Sequence, residues 1–277
     1  MVRFLSLSSG SNGNCYYIGN EFVALLIDAG VGGRTIKKRL LANGISHQSL
    51  KFILVTHDHI DHVRHLGSVA KNYNLPVFAP EKLHAALASN ICTREYIAPF
   101  RKIVPVNEES EYFGVKFIPF EVPHDAVQTL GYFIDFLGVK IVVLTDLGDI
   151  TDEAVEYCRV ADYIVLESNY DLDMLLTGGY PPLLKSRISN GHGHLSNEKC
   201  ADTLKKVYHK DLKHIFLCHL SENNNTPEKA YRSAYEALRE IGAFESTEVK
   251  LNCLPRRSAS DLFVFGIDVI TEIYETN

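Results

Sequence analysis

No apolar run in the 277 residues approaches the ~20 that a membrane-spanning helix requires. The opening Met1-Val2-Arg3-Phe4-Leu5-Ser6 has neither the apolar stretch nor the small-residue cleavage site of a secretory signal, so a cytoplasmic location is expected. The six cysteines (Cys15, Cys92, Cys158, Cys200, Cys218, Cys253) form no C-x-x-C pair. That pattern excludes a zinc knuckle and, in a chain this long, argues for reduced thiols rather than a disulfide frame. Positive charge is not in excess either: 28 Lys and Arg face 34 Asp and Glu, a formal net charge of −6. The whole-chain basic footprint of a nucleic-acid binder is therefore missing. Basic residues gather only locally, as Arg34, Lys37, Lys38, Arg39, then Lys205, Lys206, Lys210, Lys213, and finally Arg256-Arg257. The first two groups read as solvated helix faces. Repeats, low-complexity tracts and linker-like stretches are also lacking, and one domain over residues 1–277 is expected.

What is present is an alternation of strand-like and helix-like segments. Phe4–Leu7, Tyr16–Ile18 and Phe22–Ile27 read as strands, with Gly19-Asn20 turning the last two into a hairpin. Thr35–Asn43 reads as a helix closed by Gly44, with Ile36, Leu40 and Leu41 on one face. Strands follow at Phe52–Thr56, Val77–Ala79, Lys102–Val106 and Val115–Val122, and Glu81–Ser89 reads as a helix. A second hairpin joins Gly131–Phe136 to Val139–Thr145 through Leu137-Gly138. The second half alternates helix (Asp152–Cys158, Asn197–Tyr208, Pro227–Ile241) with strand (Tyr163–Glu167, His214–Cys218, Val249–Cys253, Leu262–Ile267). Two sheet-rich halves, each with helices, predict packed sheets covered outside by helices.

Chemistry concentrates in Thr56-His57-Asp58-His59-Ile60-Asp61-His62, directly after an apolar strand. Imidazole and carboxylate suit zinc or manganese, and so short a segment can aim several lone pairs at one point. His124, Asp146 and His219 each stand at the carboxyl end of a further apolar run, where α/β folds place their sites. Together these make seven candidate ligands: His57, His59, Asp61, His62, His124, Asp146 and His219.

On these residues the chain resembles the metallo-β-lactamase superfamily over almost its whole length. The resemblance implies a four-layer αββα sandwich with the site at one edge of the two sheets. It also implies that His57, His59 and His124 hold one metal, that Asp61, His62 and His219 hold a second, and that Asp146 bridges them. Asp28 would support the ligand loop from behind. No cysteine stands in the second set, unlike true β-lactamases, and His59 replaces the glutamate of flavodiiron proteins. Zinc or manganese is expected.

Two divalent ions can lower the pKa of a bridging water from ~15.7 toward ~7 and neutralise a phosphodiester. The expected nucleophile is the bridging hydroxide, with Asp61 as general base. Gly193-His194-Leu195-Ser196-Asn197, before a helix and 25 positions ahead of His219, is similar to the corresponding stretch of RNase Z. There a histidine paired with a glutamate assists the leaving group, here His194 with Glu167. Only 22 positions separate His124 from Asp146, and 73 separate Asp146 from His219. Neither a tRNA-gripping arm nor the large insertion of RNase J-like enzymes can fit.

A compact group of the superfamily, the YycJ/WalJ proteins, matches better through Ser8-Ser9-Gly10-Ser11-Asn12-Gly13-Asn14, Thr145-Asp146-Leu147-Gly148 and Glu167-Ser168-Asn169-Tyr170-Asp171. That resemblance implies a 5′-to-3′ exonuclease on double-stranded DNA, tied to replication or mismatch repair. Ser8, Ser9, Ser11, Asn14, Ser168, Asn169 and Ser196 are then candidate phosphate contacts, and Arg187, Arg256 and Arg257 weaker ones. Hydrolysis of a small phosphodiester or ester by the same centre, or a metal-loaded sensor without turnover, are the competing readings.

Overall fold

The computed structural model describes residues 1–246 and 248–266. Its described residues form two seven-stranded sheets. The first contains β1 (Val2–Ser8), β2 (Cys15–Gly19), β3 (Ala24–Ile27), β4 (Leu50–Leu54), β5 (Val77–Ala79) and β6 (Arg101–Ile103), with the last strand, β14 (Phe263–Phe265), beside β1. The second runs from β7 (Ser110–Tyr112) through β8 (Val115–Glu121), β9 (Leu130–Phe136), β10 (Val139–Leu144), β11 (Tyr163–Glu167) and β12 (His214–Cys218) to β13 (Lys250–Cys253). Each sheet is antiparallel at one side and parallel at the other, with β3 beside β4 and β10 beside β11 as the changeovers.

Period-2 alternation builds the layers. Val143, Val165 and Phe216 point into the core between the sheets, while Val142, Ile164 and Ile215 point to the outer helices Asp152–Cys158, Asn197–Val207 and Pro227–Glu240. The inter-sheet core is aromatic, with Phe4 on Phe216 (ring centroids 4.8 Å apart) and Phe52 on Phe117 (5.8 Å). Because both faces of the central strands are covered, they read as continuous apolar runs. The result is the expected four-layer sandwich.

Local departures have local causes. Strand β3 starts at Ala24 because the Asn20 side chain accepts from the amides of Phe22 and Val23 and prolongs the turn. The first helix spans Gly33–Ala42, and it buries Ile36 and Leu40 but leaves Leu41 54% exposed. Leu41 lies ~100° round from Leu40, past the edge of the buried stripe. Helices Leu66–Tyr73, Leu172–Thr177 and Pro182–Ser189 join those expected. Among the described residues the last strand ends at Phe265, and Ile267 lies outside them. Among the described residues no helix is long and apolar enough to cross a membrane. Cys15, Cys158, Cys200 and Cys218 are buried, and all six cysteines are free.

Candidate metal centre

The carboxyl ends of β3, β4, β10, β11 and β12 meet at one edge of the sandwich and deliver Asp28, His57, Asp146, Glu167 and His219. His124 comes from the loop after β8, and a short helix, Ile60–Val63, turns Asp61 and His62 back toward His57. Gly30 lets the N-terminal loop reach this helix. Its amide bonds the carbonyl of Asn14, whose own amide bonds the carbonyl of Asp61, and a Cβ at Gly30 would lie 1.8 Å from that last oxygen.

The sequence-predicted ligands converge. One ring nitrogen from each of His57, His59 and His124 falls within a mutual 4.8 Å, and so do atoms of Asp61, His62 and His219. Asp146 lies between the two sets: its Oδ2 is 3.0 Å from His62 Nε2 and its Oδ1 is 3.9 Å from His124 Nε2. Partners behind the imidazoles orient them. Asp28 accepts from the Thr56 amide (2.8 Å) and hydroxyl (2.7 Å) and lies 2.7 Å from His62 Nδ1. His124 Nδ1 donates to the Gly193 carbonyl (2.5 Å), which leaves Nε2 facing His59. Glu167 is fully buried and its Oε1 lies 2.8 Å from Nδ1 of both His194 and His219. Its Oε2 accepts from the amides of Leu147 and Leu195. The sequence paired Glu167 with His194 alone; its hold on His219 arises only because β11 and β12 are neighbours.

Electrostatics divides the imidazoles. Burial holds His57 well below the usual histidine value, helped by His62, and burial lowers His124 as well. Burial opposes protonation of His219 too, but the charge of Asp146, the nearby Asp61 carboxylate and the hydrogen bond that Glu167 accepts outweigh it and push it up to about 10. His62 is raised by Asp146, Asp28 and Asp61, and His194 by Glu167, in each case against burial. The same contacts run the other way for the acids: despite burial, Asp146 is held well below its ordinary value by His219 and His62, and Asp61 is lowered by His62 and His219. This cluster of carboxylates draws positive charge into a water-poor edge.

Six of the seven expected substrate contacts are engaged internally, Asn169 among them through the His219 carbonyl. Ser8 donates to the Arg256 carbonyl, Ser9 bonds the Tyr16 hydroxyl and the His219 amide, and Ser168 bonds Asn197. Ser196 caps the helix Asn197–Val207. The Asn14 amide donates to Asp61 Oδ2 (3.1 Å) and lies 2.9 Å from His62 Nε2, so it braces the ligand pair. Ser11 and Asn169 line the cleft of about 240 Å³ over the centre. Arg256 is spent on the carbonyls of Leu220, Ser221 and Asn225, whereas Arg187 reaches the cleft and bonds Asp125. Asp125, 3.4 Å from His124 Nε2, escaped the sequence reading although it directly follows His124. His192 is exposed and His65 half-buried.

Residues 24–219 match the β-lactamase superfamily domain. Exodeoxyribonuclease YycJ of Bacillus anthracis is 35% identical over 244 residues, 87% of this chain and 90% of that one. The chain belongs to the β-lactamase superfamily, in its YycJ/WalJ group. Exodeoxyribonuclease WalJ of Streptococcus pneumoniae is 31% identical over 236 residues, 85% of this chain and 88% of the relative. The metallo-β-lactamase fold protein YhfI of Bacillus subtilis superposes with a TM-score of 0.68 at 13% identity, over 94% of this chain and 99% of that one. This superfamily member is a metal-dependent hydrolase, and a divalent metal is its cofactor. The residues fit such an ion. Nε2 of His57 and of His219 are buried without a hydrogen-bond partner, a cost of about 1–3 kcal/mol each that coordination would remove. An imidazole and carboxylate donor set without thiolate suits zinc or manganese.

Proposed function

We propose that this protein is a single-domain phosphodiesterase with two divalent ions, zinc or manganese, that degrades double-stranded DNA from its 5′ end. The observation that carries the reading is the convergence of two three-residue donor sets on either side of Asp146, with His194 and Glu167 alongside. His57, His59 and His124 would hold one ion, and Asp61, His62 and His219 the other, with Asp146 shared. When bound, such ions supply Lewis acidity for the phosphodiester and lower the pKa of a water toward ~7. The activity named for the YycJ and WalJ relatives supports DNA as the substrate, and a role in replication or repair belongs to the same proposal.

The chain's own groups then divide the proton traffic. Asp61 lines the cleft and its Oδ2 is steadied by the Asn14 amide, so its carboxylate is placed to take a proton from the attacking water. Glu167 raises the His194 pKa against burial, and with Nδ1 engaged there, Nε2 is left to protonate the leaving oxygen. Of the residues expected to touch substrate, Ser11 and Asn169 line the cleft and are placed to meet phosphate oxygens. Asn169 also donates to the His219 carbonyl (2.7 Å), which fixes the left-handed turn there.

The test is purified protein with Mn²⁺ or Zn²⁺ on 5′-phosphorylated duplex DNA, single-stranded DNA, RNA and a bis-aryl phosphate. Duplex should be shortened from the 5′ end, and Asp61→Ala should lower the rate by roughly 10²–10⁴. Turnover of the aryl diester alone would favour a small substrate, and no turnover of any would remove the reading.

A further inference from the structure

Beside the metal cleft lies a second depression of about 400 Å³ that, unlike the cleft, holds no carboxylate. The cleft is walled by Asp61, Asp125 and Asp146. The depression is lined by Arg39, Arg64, His65 and Arg257 and by no acidic residue. The two share a rim: Ser11 faces the cleft and Asn12 the depression, and on the ligand helix Asp61 faces the cleft while Arg64, a turn later, faces the depression. In a chain of net charge −6, this is a concentrated local positive field placed where a strand leaving the cleft would pass.

We propose that this groove is a track for the phosphate backbone of a nucleic-acid strand, holding the duplex next to the scissile bond. It rests on the reading of the metal centre given above and narrows the substrate from any diester to a polymer. Three observations make the groove a binding surface and not only a structural one. Arg64 is exposed and donates merely to the Asn12 carbonyl (3.3 Å). Arg39 anchors the groove wall through the carbonyls of Leu7 and Arg257, and among the described residues neither it nor Arg64 has a carboxylate partner, so both leave their charge to the groove. Arg257 has one ion pair, with Glu222 (2.6 Å), at an exposed site where such pairs are weak and exchange readily for phosphate. The helix Gly33–Ala42 also begins on this groove at Gly32, with no side-chain cap and no acid in its first turn, which adds its amide dipoles to the same field. Contacts to phosphate oxygens carry no base information, so the track serves any sequence.

The experiment measures binding of a labelled 5′-phosphorylated duplex by fluorescence anisotropy across a salt series, in chelator so that no cleavage occurs. Arg64→Glu with Arg257→Glu should weaken binding about 10-fold or more at low salt and lower the salt slope by about 2. Lys206→Glu with Lys210→Glu, exposed residues on the outer helix and the turn after it, makes the same change in net charge and should weaken binding by less than roughly threefold. Should the reversal disturb the N-terminal loop, Arg64→Gln with Arg257→Gln is expected to lower the slope in the same direction. Equal losses in the two charge-reversed pairs, or no loss in the groove pair, overturn the proposal. So does a groove pair that loses thermal protection by inorganic phosphate while duplex binding is unchanged, because the groove would then be a free-anion site. Wild-type protein that cleaves DNA while the groove variants bind normally removes the track and keeps the enzyme. Wild-type protein that neither binds duplex nor cleaves any diester removes the underlying reading instead.

Discussion

Asp28, Asp146 and His219 are non-glycine residues with φ of 61°, 56° and 50°, each at the carboxyl end of a strand. A left-handed conformation costs such residues about 1–3 kcal/mol, and it persists here because hydrogen bonds to neighbouring segments pin it. Glu167 does the most pinning, through two imidazoles and two amides. Glu167→Gln keeps the volume but offers one acceptor oxygen where two are used. It is expected to weaken metal binding by about 10–100-fold, measured by competition with a chromophoric chelator, and an unchanged affinity would exclude its orienting role. Away from the centre, His214 bonds Asn252 (2.7 Å) and stacks on Phe216 (centroids 4.1 Å apart). Burial, reinforced by Lys250 and only partly offset by Asn252, pushes it from 6.5 down to about 4. Between those values the unfolded chain binds a proton that the folded chain refuses. Stability should therefore be full above about 6.5 and fall as pH drops toward 4. The difference in Tm between the wild type and His214→Gln, which cannot titrate, should shift steadily against the wild type across that window.

At the scale of elements, the helix Pro182–Ser189 overhangs the cleft with Leu184, Arg187 and Ile188. Its end is locked to the histidine loop at Gly193, where an added Cβ would lie 2.2 Å from the Arg187 carbonyl oxygen. Gly193→Ala should move that backbone and take the Gly193 carbonyl away from His124 Nδ1. The expected result is a stability loss of about 1–3 kcal/mol with weaker metal binding, read by chemical denaturation and chelator competition. This helix was not legible in the sequence. Gly178-Gly179 and Pro181-Pro182 read as loop signals, and no residue of the helix is buried, so no apolar stripe announces it. The strands β10, β11 and β12 were legible almost to the residue, because continuous apolar runs bounded by polar residues have few other uses. The N-terminal loop stood between these cases. Its Ser/Gly/Asn composition marked it as special, yet whether Asn14 meets phosphate or braces Asp61 depends on Gly30, a residue of another segment.

For the whole molecule, the metal centre brings together Asp28, Asp61, Asp146 and Glu167 at one edge of a sandwich whose aromatic core lies behind it. Bound cations should stabilise the fold by mass action, about 2.7 kcal/mol at a hundredfold excess over Kd. Chelation should lower Tm by differential scanning calorimetry, and Asp146→Ala should erase most of that difference. Phe216→Ala, between the sheets against Phe4, should cost about 3–5 kcal/mol without altering the metal dependence of Tm, since its ring packs on Phe4, His214, Phe263 and Phe265 and on no candidate ligand.

The sequence by itself determined which residues carry donor chemistry for a metal, because imidazole and carboxylate chemistry is local and His57 through His62 lie on one short segment. It also determined the layered architecture, since burial on both faces leaves a pattern in every strand. Only the tertiary structure decided what each polar residue near the centre faces. Glu167 meets His219, Ser9 meets the His219 amide, and Arg64 meets Asn12 across gaps of 52, 210 and 52 positions. Such partners are chosen by how sheets and loops pack, and packing geometry leaves no mark on the identity of a serine or an arginine.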